Sequence, residues 1–306
     1  MIHTVTFNPA LDLTYRVPNL KFDDKLRAAE VVRSPGGGGV NVSRVAARLG
    51  ETTVAMGLVG GRAGDEFEEL VQRENIRTWF IRQRRSTRIN VVIQDDEGQQ
   101  LRISGPGPEA SSEEVEHLRS SIFELRAPDF LVLSGSLQAG MSTDFFLEII
   151  AEAKKQGIRI VADIDRELKE AVEAGVFLVK PNEHELERLT GHPVTDAESA
   201  LAAAHGVLEL GAEMVLASMG AEGAVLVSKD GAWSTRPPKI EADSAVGAGD
   251  SLLAGVLVAL AQGKTLPAAL ALGVACGAAT ASTPGTEVAT KEMVDALLPQ
   301  IAVKAL

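Results

Sequence analysis

Short β-branched and apolar runs alternate along most of this chain with stretches whose apolar residues recur every three or four positions. TVAMGLVG is followed by DEFEELVQREN, DFLVLSGS by TDFFLEIIAEAKKQG, IRIVADID by RELKEAVEAG, and VFLVK by EHELERLTG. The first member of each pair has the pattern of a buried strand, the second the period of a helix. Strand–helix–strand units at this rhythm predict right-handed crossovers and a mostly parallel sheet covered by helices on both faces. AEMVLASMG, GAVLVSKDGAWSTRP and a helical C-terminal third complete the domain.

Two segments depart from that rhythm. Residues 12–32 (DLTYRVPNLKFDDKLRAAEVV) and 88–104 (RINVVIQDDEGQQLRIS) alternate polar and apolar side chains, the period of a strand. DDEG between two such runs reads as a hairpin turn. These segments are expected to form a small β appendage inserted into an α/β domain made of residues 1–11, 33–87 and 105–306. A thin sheet needs its exposed face covered, either by an active site beneath it or by a second subunit.

Composition narrows the partners. A chain of 306 residues suits one large domain with an appendage. The net charge of −12 argues against nucleic acid or an anionic membrane as the main partner. A local cluster of Lys and Arg can still hold a small anion. Cys276 is the only cysteine, so no intramolecular disulfide is possible. The N-terminus lacks the basic stretch of a signal peptide, and no apolar run approaches the roughly 20 residues that span a bilayer. A cytoplasmic location is expected.

In parallel α/β folds ligands bind at the carboxyl ends of strands, which directs attention to the motifs there. PGGGGVNVSRVAARLG sets four glycines, Gly36 to Gly39, before a helix, as either a flexible turn or a close approach of backbone to ligand. Asn41 favours a ligand, because its amide both donates to and accepts from a hydroxyl. VKPNEHEL ends a strand with Lys180 and Asn182 and opens a helix with Glu183 and Glu185, which serve equally as ordinary helix-dipole complements. With Asp163, at the end of IRIVADID, Asn182 and Glu185 could hold Mg²⁺ through waters. SAVGAGDSLLAG places Asp250 at a helix start behind uncovered backbone N–H groups, as a cap or as a carboxylate beside an anion site. Two nucleotide motifs are excluded. Gly263-Lys264-Thr265 lacks the P-loop glycine five positions earlier, where Val258 stands, and no G-x-G-x-x-G follows the first strand. Lys25, Arg27, Arg88 and Arg102 concentrate in the appendage, as solvated β-surface or together as a phosphate site.

Taken in order, GGGGVN, LSGSLQAG, KPNEHEL, SMGAEGA and VGAGDS resemble the ribokinase-like (PfkB) carbohydrate kinases across essentially the whole chain. TVTFNPALD, PGGGGVNVSR, DKLR and RIN are similar to the branch acting on sugar phosphates. That branch includes minor-isozyme 6-phosphofructokinases, tagatose-6-phosphate kinases and 1-phosphofructokinases. The resemblance implies a three-layer α/β/α fold with a β-sheet lid, often paired between subunits, and an ATP- and Mg²⁺-dependent enzyme. Its best-matched substrate is fructose 6-phosphate, with tagatose 6-phosphate or fructose 1-phosphate as alternatives.

Residue roles follow from the resemblance. Asp250 would be the general base, and the N–H groups of Gly247, Ala248 and Gly249 the anion hole. Asp12, Gly37, Gly38, Asn41 and Ser136 would hold the sugar. Lys25, Arg27, Arg88 and Arg102 would hold its phosphate. Lys180, Asn182, Glu185, Ser218 and Gly220 would serve the nucleotide, with Glu185 and Asp163 at the metal. Two positions depart from the family pattern. Ser244 stands six before the base, where many members carry an aspartate tied to a monovalent cation, which weakens the case for K⁺. His184 lies inside KPNEHEL, where a lysine would reach ATP. A non-catalytic sugar-phosphate or nucleotide sensor is the reading from a different class; against it stand the base and the anion-hole glycines.

Overall fold

The alternating runs fold into strands and helices that keep chain order in space. The computed structural model describes residues 1–21, 25–124 and 127–306; residues 22–24, inside the expected lid segment, and 125–126 lie outside the described residues. The chain opens with β1 (Ile2–Thr6), β2 (Ala10–Val17), β3 (Glu30–Gly36), α1 (Gly38–Arg48), β4 (Thr53–Val59) and α2 (Gly61–Arg73). Next come β5 (Arg77–Arg82), β6 (Arg88–Asp95), β7 (Gln100–Ile103), α3 (Ser112–Glu124), β8 (Phe130–Ser134) and α4 (Thr143–Lys155). Then follow β9 (Arg159–Asp163), α5 (Leu168–Glu173), β10 (Leu178–Val179), α6 (Glu183–Thr190), α7 (Ala197–Leu210) and β11 (Met214–Ser218). The chain closes with β12 (Ala224–Ser228), β13 (Gly231–Thr235), α8 (Ala248–Ala261), α9 (Leu266–Ala281), α10 (Lys291–Leu297) and β14 (Lys304–Ala305).

The large sheet runs β14-β13-β12-β11-β10-β9-β8-β1-β4-β5. Every pair from β11 to β5 is parallel, and β12, β13 and β14 add on antiparallel. β1, β4 and β8 are buried along their whole length, as continuous apolar strands covered on both faces must be. One core joins the sheet to α3–α7; on the opposite face α1, α8, α9 and α10 pack in one cluster and α1 and α2 in a smaller one. The result is the three-layer architecture expected from the sequence.

Helices α8 and α9 cross where neither carries a side chain. A Cβ on Gly255 would stand 2.8 Å from Gly273 Cα and Cys276 Sγ, and one on Gly273 2.7 Å from Leu252 O. This close crossing packs α8 tightly against α9.

The appendage is a separate four-stranded sheet, β3-β2-β6-β7. The turn at DDEG joins β6 to β7, with Gly98 at φ 82° and the Asp95 carboxylate accepting from Glu97 N and Gln99 N. Strand alternation gives this sheet two unlike faces. Asp12, Thr14, Ser34, Asn90 and Gln94 share one face and are shielded against the body, except for half-buried Asn90. Leu13, Tyr15, Val31, Ile89, Val91, Ile93, Leu101 and Ile103 share the other, and Val31, Ile89 and Ile103 are largely exposed. The polar face is turned inward and the apolar face outward.

Candidate active site

Because the central strands are parallel, their C-terminal ends share one edge of the sheet. Ser134 ends β8, Asp163 ends β9, Lys180 follows β10 and Ser218 ends β11. The small sheet covers this region with Asp12, Asn90 and Arg88, and α1 and α8 contribute Asn41 and Asp250.

The glycine run is packed and leaves no room for side chains. A Cβ on Gly36 would stand 2.2 Å from Asp12 Oδ2, and one on Gly39 2.6 Å from Thr6 Oγ1. On Gly38 it would lie 2.4 Å from Ser134 Oγ and 3.2 Å from Asp250 Oδ1. Gly37, at φ 121°, caps α1 in a conformation that L side chains rarely adopt. These glycines are packed against Asp12, Thr6 and Ser134 and do not form a loose turn.

Helix α8 starts the same way. Its N-cap, Gly247, has φ 76° and no side chain, so the N–H groups of the first turn lack a side-chain partner. Asp250 stands in that turn, where the positive end of the helix dipole favours negative charge. Asn41 Nδ2 donates to Asp250 Oδ2 at 2.8 Å, joining the two glycine motifs across 209 positions of sequence. Burial raises the Asp250 carboxyl pKa, the charge of Asp163 adds to that, and Asn41 and Lys180 pull it back. Behind the turn, Ser251 Oγ donates to Gly247 O at 2.8 Å and itself bonds Thr280 Oγ1 at 2.8 Å.

Lys180 is buried and pairs with Asp163 Oδ1 at 3.0 Å. Burial alone would lower its pKa, but the charges of Asp163, Asp250 and Glu185 outweigh it and the ammonium is held charged. A Cβ on Gly249 would lie 3.4 Å from Lys180 Nζ, which places this cation against the first turn of α8. Asn182 and Glu185 form a capping box: Asn182 Oδ1 accepts from Glu185 N at 2.9 Å, and Glu185 Oε2 from Asn182 N at 2.8 Å. Both therefore have a structural duty at the start of α6. The loop after β11 lies beside them, because Ser218 bridges to Asn182 and Ser218 N donates to Pro181 O at 3.0 Å. Gly220, at φ 50°, borders open space. His184, on the first turn of α6, is exposed beside Glu187.

Among the described residues no group of three or more His, Cys, Asp or Glu is gathered tightly enough to bind a metal directly. The charges nonetheless fit a hydrated cation that arrives with polyphosphate. Burial, with the charge of Asp163 adding to it, raises the pKa of both Glu185 and Asp250, and a divalent ion nearby would lower both. Such a site suits Mg²⁺ held through waters.

On the small sheet, Asp12 Oδ1 accepts from Asn90 Nδ2 at 2.8 Å. Burial pushes the Asp12 carboxyl up to about 6, against the pull of Asn90, Arg88 and Arg44. Arg88 is half-buried and donates to Asn8 O at 2.9 Å. Lys25 and Arg27 lie exposed on the chain between β2 and β3, and Arg102 is exposed and bonds Gln100 Oε1. The structure sets Arg88 near Asp12 and bonds Asn41 to Asp250, while Lys25, Arg27 and Arg102 are exposed.

Ser136 is exposed, whereas Ser134, two positions earlier in LSGS, is buried beside the glycine run. Ser134 is the last residue of β8, and Gly135 at φ 84° turns the chain before Ser136. Asn90 and Gln94 were also missed. Gln94 Nε2 donates to the Asp243 carboxylate, linking β6 to the segment before α8. Ser34 and Thr286 hydroxyls bond each other and make a second link from lid to body. Alternation in RINVVIQD places Asn90 and Gln94 on one face; what it does not say is that this face is the inner one.

Residues 5–293 match the model of the pfkB family carbohydrate kinases. The 1-phosphofructokinase of Bacillus subtilis is 36% identical over all of both chains. The ATP-dependent 6-phosphofructokinase isozyme 2 of Escherichia coli is 32% identical over 95% of this chain and 96% of its own. A crystal structure of phosphofructokinase-2 from Escherichia coli in complex with substrates and products superposes with a TM-score of 0.94, covering 98% of each chain at 32% identity. With this ribokinase-like fold and this set of motifs, the chain belongs to the pfkB family of carbohydrate kinases.

Proposed function

We propose that the protein transfers the γ-phosphoryl group of ATP to a free hydroxymethyl group of a phosphorylated ketohexose, fructose 6-phosphate first, giving fructose 1,6-bisphosphate. The observation that carries this reading is Asp250: a shielded carboxylate in the uncapped first turn of α8, held by Asn41. Phosphoryl transfer spreads negative charge over the moving oxygens, so catalysis is mostly positioning and electrostatic stabilisation. Asp250 takes the proton of the attacking hydroxyl, a role worth about 10²–10⁴ in rate. The N–H groups of Gly247, Ala248 and Gly249 face the transferred group, and one such donor is worth about 3–4 kcal/mol.

Asp12, with Asn90 behind it, accepts from sugar hydroxyls, alongside Asn41, Gly37, Gly38 and Ser136. Arg88, with Lys25, Arg27 and Arg102 from the rim, takes the sugar's phosphate. Lys180 neutralises ATP phosphate charge beside the α8 turn, and Ser218 and Gly220 border the nucleotide. Mg²⁺ supplied with ATP would be held through waters by Asp163 and Glu185 and would offset charge on the β- and γ-phosphates. The outward apolar face of the lid is a second-subunit surface, making a homodimer.

A second reading exchanges the ends of the sugar. The name of the Bacillus subtilis relative, 1-phosphofructokinase, supports fructose 1-phosphate as the acceptor here. Phosphorylation of either fructose monophosphate at its free end gives the same bisphosphate, so one site could serve both. Tagatose 6-phosphate differs only in a ring hydroxyl. The test is ADP release with ATP and Mg²⁺ on fructose 6-phosphate, fructose 1-phosphate, tagatose 6-phosphate, fructose and ribose. A kcat/KM for one phosphate at least about tenfold above the free sugars is expected; preference for a free sugar rejects the lid cations as a phosphate site.

A further inference from the structure

We infer that Arg44 is a positioning residue: its buried guanidinium fixes the orientation of the Asn41 amide and thereby the hydrogen bond that holds the Asp250 carboxylate. This rests on the reading of Asp250 as the base.

Arg44 follows Asn41 by one turn of α1 and is 1% exposed. Its Nη1 donates to Asn41 Oδ1 at 3.4 Å and to Thr286 O at 3.2 Å, and its Nε to Glu74 Oε1 at 2.6 Å. Nη2 reaches the Glu287 carboxylate at 3.4 Å. A guanidinium has donors and no acceptor, so only the amide oxygen of Asn41 can face it. Asn41 Nδ2 is then left toward Asp250, where it donates at 2.8 Å. Flipping the amide would set its oxygen against a carboxylate and its NH₂ against a cation. Arg44 thus selects one of two orientations that are otherwise close in shape.

Arg48, one turn further along, shows that a structural tie alone does not require Arg44. It bonds the same two carboxylates, Glu74 at 2.8 Å and Glu287 at 2.6 Å, and the carbonyls of Val288 and Ala289. It already fastens α1 to the end of α2 and to the loop before α10, while remaining partly exposed. Burying a second guanidinium at the same junction is costly unless it is fully bonded. What Arg44 adds is the bonds to Asn41 and to Thr286 O, together with its charge near Asp12.

The test is a double-mutant cycle on kcat with Arg44→Lys and Asn41→Ala, with Arg48→Met as control and Asp250→Asn alongside. Arg44→Lys is expected to lower kcat about 10-fold, from misorientation of one hydrogen bond to a charged group. In the Asn41→Ala background it should cost nothing further, because its target is gone. Arg48→Met should melt lower yet keep kcat within about twofold. A structural defect at Arg44 would multiply with Asn41→Ala, and that result, or wild-type kcat in Arg44→Lys, overturns the inference. Should Arg44→Lys not fold, Glu74→Gln loosens the guanidinium in place. It is then expected to cost about 2–3-fold, again only when Asn41 is present, and full multiplication or no effect overturns the inference. Asp250→Asn separates the two failures. Unimpaired turnover in that variant rejects the base assignment itself, whereas an inactive variant with a multiplicative cycle rejects Arg44 alone.

Discussion

Asp12 shows at the scale of one residue how a site opposes stability. Burial moves its carboxyl from 3.8 up to about 6, so between those values the folded protein keeps a proton that the unfolded chain has released. The sign follows: this group favours the folded state fully below about pH 4, and that contribution is lost as pH rises through 6. Asp12→Asn should therefore stabilise the protein at about pH 7.5, by an amount on the order of 2 kcal/mol, with the gain shrinking toward pH 4. It should also raise KM for the sugar phosphate about tenfold or more through the lost acceptor. Thermal melts at both pH values check this, and equal destabilisation at both would contradict it. Residues carrying strong local constraints were legible in the sequence: Gly38 marks a crowded backbone and Gly247 a left-handed N-cap, with Asp250 three positions on. Arg44 was not legible, because an arginine in VNVSRVAARLG has the pattern of a solvated helix face. Only the fold shows Glu74, Asn41, Thr286 and Glu287 closing around it.

Among elements, α6 illustrates one pair of residues with two duties. Asn182 and Glu185 cap the helix reciprocally, the ordinary role that acidic residues at a helix start always allow. Asn182→Ala should cost about 1 kcal/mol in urea denaturation, from the lost cap. If Asn182 and Glu185 also serve the nucleotide, KM for ATP rises in the same variant; an unchanged KM would leave the pair purely structural. At the α8–α9 crossing, Gly255→Val should destabilise by about 2–3 kcal/mol, since its side chain meets Gly273 Cα and Leu272 O. Differential scanning calorimetry reads this directly, and an unchanged melting temperature would mean the helices separate freely. The parallel strands and their helices were legible because burial on both faces makes each strand a continuous apolar run. The depth of Ser134 beside the glycine run was not, since LSGS does not say where the strand ends and the turn at Gly135 begins.

For the whole molecule, the lid's alternation was plain in the sequence but its polarity was not. An alternating strand normally turns its apolar face to the core. Here the body offers polar partners, Asp243 to Gln94 and Thr286 to Ser34, so Asp12, Asn90 and Gln94 turn inward and Val31, Ile89 and Ile103 turn outward. An outward apolar face on a small sheet is the surface a second copy would cover. Ile89→Lys with Ile103→Lys should convert a dimer at micromolar concentration to monomer in light scattering. A monomeric wild type, or a doubly substituted protein that stays dimeric, would place the interface elsewhere.

The measurement closest to the central claim is turnover of Asp250→Asn with ATP, Mg²⁺ and fructose 6-phosphate or fructose 1-phosphate, beside ATP binding by calorimetry. The substitution keeps the side chain's size and removes its capacity to take a proton. The account predicts kcat lower by at least about 10² with ATP affinity within about threefold of the unsubstituted protein. Turnover within tenfold of the unsubstituted protein would show that the carboxylate at the start of α8 is not the base.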